Sequence, residues 1–175
     1  MLTYKHPKAK TCEVCERVFV PDRMGQLVCR PACAMARVRQ AKKADRASIK
    51  ARKEAIKSKA DWAREAQTAF NAWIRARDEG LPCISCGRHH QGQWHAGHYL
   101  STGARPELRY TESNVHRQCA PCNTHLSGNS VLYRIGLINR IGSDAVEWLE
   151  GPHPLPKWTP DELRAIRDTY RAKLK

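Results

Sequence analysis

The sequence predicts an α+β fold made of small metal-stabilised modules and a long basic helix. Three observations support this prediction. The 175 residues have a mean hydropathy of −0.65, eight cysteines fall into four pairs, and the 46 residues from 34 to 79 contain neither Gly nor Pro. Modules of roughly 40 to 50 residues bury too little apolar surface to offset chain entropy unaided. The cysteines are therefore expected to stabilise these modules through metal ions.

The four cysteine pairs form two sets with the spacing of zinc sites. The first set is Cys12, Cys15, Cys29 and Cys33, and the second is Cys83, Cys86, Cys119 and Cys122. Two such pairs together offer zinc the tetrahedral sulfur ligands that it prefers. Residues 1–10 lack the apolar core of a signal peptide, so the chain is expected in the cytoplasm, where paired thiols bind metal more often than they form disulfides. We predict two structural Zn²⁺ ions, with disulfides or free thiols as the alternative.

Gly and Pro divide the chain into four regions. We expect an N-terminal zinc finger at residues 1–33, a long basic helix at 34–80, a central module at 81–130 and a C-terminal helical region at 131–175. The composition of the second region, rich in Ala, Lys, Arg, Glu and Gln, predicts one long helix, or two with a break.

Shorter elements are expected in the last two regions. Strands are predicted at residues 93–100 and 107–111, and helices near 131–141 and 144–149. The last helix begins with a sequence signature, because Thr159 stands at the N-cap, Pro160 at the first helical position and Glu162 at the third, which together make a capping box.

The net charge of +14 indicates a nucleic-acid partner, without distinguishing DNA from RNA. No apolar run approaches the roughly 20 residues of a membrane span, so no membrane partner is expected. The expected DNA-binding residues are Arg37, Arg39, Lys42, Lys43, Arg46, Lys50, Arg105, Arg109 and Arg117. Further along the basic region, an apolar stripe from Ala63 to Trp73 is expected to pack on another surface.

The segment between Cys83 and Asn129 contains the pattern that points to chemistry. His98 lies near the end of the first predicted strand, Asn114 stands a few residues before the last cysteine pair, and Asn123 follows that pair directly. This is the HNH, or ββα-metal, pattern, and its bracketing by zinc knuckles resembles phage endonuclease VII. The match is closer to the NinG/Rap recombination proteins of lambdoid phages, which the chain resembles in the AGHY stretch, in NVHxQCxxCNxHxSGN, and in the preceding finger and basic helix.

The resemblance implies a ββα-metal (HNH) nuclease module that hydrolyses branched recombination intermediates, such as Holliday junctions and D-loops, with one Mg²⁺ or Mn²⁺ ion. In that chemistry His98 is the expected general base, Asn123 the metal ligand, and Asn114 the residue that holds the loop and orients the base. Many HNH enzymes carry an Asp ligand where this chain has Gly97. His95 is expected to replace it if the strand bends there, because a regular strand would point His95 and His98 to opposite faces.

Two other functions remain open at this stage. One is an HNH nickase or endonuclease that acts on linear DNA, and the other is a non-catalytic zinc-finger DNA-binding protein. By analogy with resolvases, a homodimer is expected, which the apolar stripe could serve, and other recombination proteins are expected as partners. His89 and His90 are expected at the surface, and Glu112 either there or in the metal shell.

Overall fold

The computed structural model describes residues 8–175. Helices and two small two-stranded antiparallel sheets make up this part of the chain, which confirms the α+β class. The chain divides into two compact units, the first ending at Ile56 and the second spanning Lys57–Lys175. None of the helices in the described residues is long and apolar enough to cross a membrane.

The first unit is a short hairpin followed by a long exposed helix. Strand β1 (Lys10–Thr11) pairs with β2 (Val18–Phe19), and helix α1 spans Pro31–Ala55. Pro31 opens the helix at a position where a missing N–H costs nothing. Cys33 is the only buried residue of α1. The basic side chains beyond it are therefore solvated along the whole helix.

The long helical region is broken between Ala55 and Lys59. Helix α2 (Lys59–Arg77) begins after Ser58, whose Oγ accepts a hydrogen bond from the Asp61 N–H at 3.2 Å. The Asp61 carboxylate in turn accepts one from the Ser58 N–H at 2.9 Å. This capping box satisfies two N–H groups that the helix start would otherwise leave unpaired. Of the two arrangements predicted, the structure therefore has two helices.

The pairing of α2 with the last helix, α5 (Pro160–Ala172), forms one half of the second unit. Phe70 is fully buried there and its ring meets that of Tyr170 edge-on, with centroids 4.8 Å apart. The capping box predicted at Thr159 is confirmed. The apolar stripe of α2 is thus largely covered within the chain, which leaves little of it for a second copy, and the homodimer stays a prediction.

The central hairpin joins β3 (Trp94–His98) to β4 (Val115–Cys119), with His95 opposite Gln118. The second strand predicted at residues 107–111 is wrong. Pro106 lacks an N–H for a ladder, and it begins a 3₁₀ turn, Pro106–Leu108, that buries Leu108. A second 3₁₀ turn, Glu112–Asn114, leads into the true partner strand.

The hairpin lies between two helical layers of the second unit. On one face Ala96 and Val115 pack against Phe70 of α2. On the other face are α3 (Ser130–Ile141) and α4 (Ser143–Glu150), which confirm the two helices predicted near these positions. Tyr133 of α3 is fully buried there and its hydroxyl donates to the Gly97 carbonyl at 2.8 Å. Both faces of the hairpin are thus covered along most of its length.

Candidate metal centres and active-site cleft

The first cysteine set gathers where the β1–β2 hairpin meets the start of α1. All four sulfur atoms lie within 4.8 Å of one another. Cys29 Sγ is 3.5 Å from Cys15 Sγ and 3.8 Å from Cys33 Sγ. Sulfurs bound tetrahedrally to zinc at about 2.3 Å are separated by about 3.8 Å. The set could therefore hold a zinc ion.

The second cysteine set joins the turn after α2 to the end of β4. Its four sulfurs also lie within 4.8 Å of one another, and this set too could hold a zinc ion. The Cys119 N–H donates to Cys83 Sγ at 3.4 Å, which stabilises a thiolate. All eight cysteines are free. Metal binding requires free cysteines, whereas each disulfide would join two of them. His89 is exposed as expected, whereas His90 is only partly exposed and its Nε2 lies 3.2 Å from Cys86 Sγ.

His95 and Asn123 form a polar pair next to this second set. Asn123 lies in a π-helical turn, Pro121–His125, a rare element that is frequent at functional sites. Its Nδ2 is 2.8 Å from His95 Nδ1. Because imidazole nitrogens and amide oxygens both ligate divalent cations, the pair has the donor set for one ion.

The pair opens into a cleft of about 480 Å³ between β3 and α2. Its lining residues are Asn71, Arg75, Gln93, Trp94, His95, Ala96 and Asn123. The Arg75 side chain is exposed, and no hydrogen bond or ion pair joins it to any residue from 8 to 175. Sequence reasoning missed Arg75 and Asn71, because nothing in the chain distinguishes them from other polar residues on a basic helix.

His98 does not line this cleft. The β3–β4 register is regular from Trp94 to His98, without the bend that would bring the two histidines together, so His95 and His98 leave opposite faces of the strand. His98 Nε2 lies 3.0 Å from the Arg109 carbonyl oxygen. Because a carbonyl only accepts, Nε2 carries the proton and Nδ1 has the free lone pair. Burial lowers the pKa of His98, which favours the neutral ring that a general base needs.

Asn114 is fully buried and ties together the loop that carries the His98 partner. Its Oδ1 accepts from the Leu100 N–H at 2.9 Å, and its Nδ2 donates to the carbonyls of Leu100 at 3.0 Å and Leu108 at 3.2 Å. Leu108 precedes Arg109, whose carbonyl contacts His98. This is the geometry that the predicted loop-holding role requires.

The position where many HNH enzymes carry Asp is filled by another side chain. A β-carbon on Gly97 would lie 2.1 Å from Gln118 Oε1. The Gln118 amide is held by donating from Nε2 to Ser85 Oγ at 2.7 Å and to the Gly128 carbonyl at 2.6 Å. Because that carbonyl only accepts, the amide oxygen must face Gly97. The packing thus has no room for a side chain at position 97.

The expected DNA-binding residues differ in how they are engaged. Arg105 pairs with Glu107 and with the Gly151 carbonyl, and the Arg117 guanidinium lies 4.0 Å from the Trp94 ring centre. These two arginines hold the fold together. Arg109 is partly exposed. On α1, Arg37 pairs with Glu13 at 2.8 Å. The other basic residues named on α1 are exposed, namely Arg39, Lys42, Lys43, Arg46 and Lys50.

Glu112 contacts the C-terminal part of the chain and not the His95–Asn123 pair. Its carboxylate accepts from the Tyr170 hydroxyl at 3.0 Å and from Lys173 Nζ at 2.7 Å, both on the C-terminal side of the chain. Both bonds are to Oε1, and Glu112 does not line the cleft of His95 and Asn123, so the structure gives no support to the alternative in which Glu112 completes the metal shell.

Comparison with known proteins covers nearly the whole chain. A family model described as bacteriophage Lambda NinG protein matches residues 4–175. A protein named ninG from Escherichia phage 933W is 42% identical, over 97% of this chain and 94% of its own length. The ninG proteins of Escherichia phage lambda and Salmonella phage P22 are 41% and 42% identical, over 97% and 93% of this chain and 93% and 90% of their own lengths. No solved structure matches the chain.

Proposed function

Because the chain belongs to the NinG family of bacteriophage proteins, we propose that it is a metal-dependent HNH endonuclease that cuts branched DNA, such as Holliday junctions and D-loops. The observation that carries the proposal is the pairing of His95 with Asn123 at 2.8 Å, in an open cleft beside a four-cysteine set. The branched substrate follows from the family resemblance, and the strong positive charge is consistent with it.

In the proposed site His95 and Asn123 would hold a Mg²⁺ or Mn²⁺ ion, which would stabilise the charge that develops on the phosphate and the leaving oxygen. His98 lies outside this cleft and is proposed as the general base on the family resemblance; burial lowers its pKa, and its Nδ1 lone pair could accept a proton from water. Asn114 keeps that ring oriented through the loop that it binds. Because His95 and His98 leave opposite faces of β3, their roles have to be tested separately.

Both four-cysteine sets are proposed to hold structural Zn²⁺. The second set matters for the reaction, since Cys122 directly precedes Asn123 and Cys119 ends β4, the strand paired with the one that carries both histidines. Zinc at this set would fix the hairpin and the π-helical turn together. The bacterial host cytoplasm, where thiols stay reduced, is the proposed place of action.

Helix α1 is proposed to bind DNA without reading its sequence. Every residue from 37 to 53 is exposed, and the basic residues among them greatly outnumber Asp45. Contacts of this kind reach phosphates rather than base edges and weaken steeply with salt.

The test is cleavage of a four-way junction and of its separate linear arms in Mg²⁺ or Mn²⁺. The parent should cut the junction faster than the arms. His98→Ala should lose cleavage by about 10² to 10⁴-fold and still bind Mn²⁺, as expected for a base. His95→Ala and Asn123→Ala should lose both cleavage and Mn²⁺ binding, as expected for ligands.

Each contrary outcome points elsewhere. Equal cleavage of junction and arms would favour a nuclease for linear DNA. Unchanged cleavage by His98→Ala would remove His98 as the base. If His95→Ala loses cleavage but keeps Mn²⁺ while His98→Ala is active, His95 is the base instead. Absence of any cleavage by the zinc-loaded parent would favour a non-catalytic DNA-binding protein.

A further inference from the structure

We propose that Arg75 of α2 binds the phosphate of the DNA strand that lies at the His95–Asn123 pair. The inference rests on the proposed nuclease function and adds to it a substrate-binding residue from a helix outside the HNH motif. On this proposal, α2 forms one wall of the active site.

The position of Arg75 is set by the core beneath it. Its neighbour Ile74 is fully buried, as is Phe70, and both belong to the cluster that packs α2 against the hairpin. Ala96 packs against that cluster and also lines the cleft. Arg75 is therefore an exposed side chain on a rigid helix, at the side of the cleft that faces β3. A group on such an element can be held in one place for a substrate.

The surrounding charges leave Arg75 available for an anion. Arg77 is held by Asp78, with Nε 2.7 Å from its carboxylate, and by the Val115 carbonyl. Arg117 is stacked on Trp94. Arg75 has no such partner among residues 8–175, and no acidic side chain lines the cleft. A guanidinium beside these two candidate ligands suits a phosphate, whose oxygens it can bind with two parallel N–H donors.

Asn71 supplies a second donor on the same face of α2, one turn before Arg75. Its Oδ1 accepts from Gln67 Nε2 at 2.7 Å, which orients the amide and leaves Nδ2 to donate. Asn71 and Arg75 are therefore the two α2 residues of the cleft lining that could donate N–H groups to a bound ligand. The competing explanation is structural, since Arg75 lies in the last turn of α2 and a cation there interacts favourably with the helix dipole.

Single-turnover cleavage of a four-way junction separates these explanations. Arg75→Gln should lower the rate at saturating DNA by about 10²-fold, because a donor to the reacting phosphate acts mainly in the transition state. Junction affinity should change by less than about 3-fold, and Mn²⁺ binding should persist. Arg75→Lys should recover part of the rate through its charge.

The matched control is Arg64→Gln, which removes the same charge from an exposed side chain of the same helix, about 16 Å away along its axis. Its cleavage rate should stay within about 2-fold of the parent. An Arg75→Gln variant that cleaves at the parental rate, or an equal loss in Arg64→Gln, would overturn the proposal.

A second measurement does not depend on cleavage. Titration of the zinc-loaded parent with dimethyl phosphate should shift the Arg75 Nε–H resonance and leave that of Arg64 unchanged. If Arg75 responds but no DNA is cut, the phosphate site stands and the nuclease function fails. If DNA is cut and Arg75 neither responds nor matters, the nuclease stands and this inference fails.

Discussion

His95 and His98 are three positions apart in sequence. In a regular strand this spacing directs their side chains to opposite faces. One histidine meets Asn123 at the cleft, and the other meets the Arg109 carbonyl. The two rings therefore have different chemical surroundings, although both belong to one short motif. Their protonation behaviour is the first property that should distinguish them.

The acidic limb of the cleavage rate should lie below the ordinary histidine pKa of about 6.5 if His98 is the base. Burial lowers the pKa of His98, so its neutral form persists as the pH falls. The measurement is the single-turnover rate from pH 5 to 8 with DNA affinity and bound zinc followed in parallel. A limb centred above pH 6.5 would contradict this assignment.

Gly97→Ala should lower the free energy of unfolding by about 1–3 kcal/mol, because the new β-carbon would overlap Gln118 Oε1. Shortening the glutamine in Gly97→Ala/Gln118→Ala should relieve the overlap, which a double-mutant cycle measures as a favourable coupling. Gly103→Ala is the control, since its β-carbon meets nothing within 4 Å. Equal losses at Gly97 and Gly103 would disprove the overlap.

His116 should make folding stability depend on pH. It is only 3% exposed, and burial lowers its pKa to about 4. Between about pH 6.5 and 4 the unfolded chain therefore binds a proton that the folded chain does not, and stability falls as pH falls, by at most about 1.4 kcal/mol per pH unit. Denaturant unfolding at pH 7 and 5.5 should show a smaller difference for His116→Gln than for the parent. An identical difference would contradict the shift.

At the scale of elements, α1 and α2 show that one basic, Gly- and Pro-free stretch can serve two purposes. Apart from Cys33, α1 buries nothing, and its side chains face solvent. α2 buries five residues against α5 and the hairpin. The break between them coincides with the Ser58 capping box, which begins α2.

Neutralising four exposed charges of α1 should weaken DNA binding without weakening the fold. In the variant with Arg39, Lys42, Lys43 and Arg46 changed to Gln, the slope of log affinity against log salt should flatten by up to about 0.9 per lost phosphate contact. Thermal stability should change little, because none of these side chains is buried. A slope equal to that of the parent would place the DNA contacts elsewhere.

For the whole molecule, the two cysteine sets lie in different compact units. Each unit has few buried apolar residues of its own in the region of its cysteines, so each should depend on its own metal. Zinc binding by each cysteine set is therefore expected to stabilise the compact unit that contains it.

The parent should contain two zinc ions per chain, and Cys12→Ser and Cys83→Ser one each. Cys83→Ser should abolish cleavage, because the zinc ion that joins the hairpin to the turn carrying Asn123 would be lost. Cys12→Ser should keep the thermal transition of the second unit and lose mainly DNA affinity. Elemental analysis measures the zinc content of each variant, and calorimetry measures its thermal transitions. Loss of both zinc ions from either variant would show that the sets are not independent.

Much of the architecture was predictable because its signals are local. The CxxC spacings, the capping box at Thr159 and the Gly- and Pro-free stretch each depend on a few neighbouring residues. The second strand was misplaced because residues 107–111 look as suitable for a strand as residues 115–119. Pairing with β3, which no local signal records, decides between them.

The sequence by itself determined the two four-cysteine sets, the family resemblance and the helical signatures, since each is a matter of residue type and spacing. Tertiary structure decided that Asn123 meets His95 and not His98, that Gln118 fills the space at Gly97, and that Arg75 faces the cleft. Asn123 is 28 positions from His95, Gln118 is 21 from Gly97, and Arg75 is 19 to 21 from the β3 residues of the cleft, while side-chain direction within a strand or helix changes with every residue. The packing of the hairpin between its helices decides which of these distant side chains come into contact.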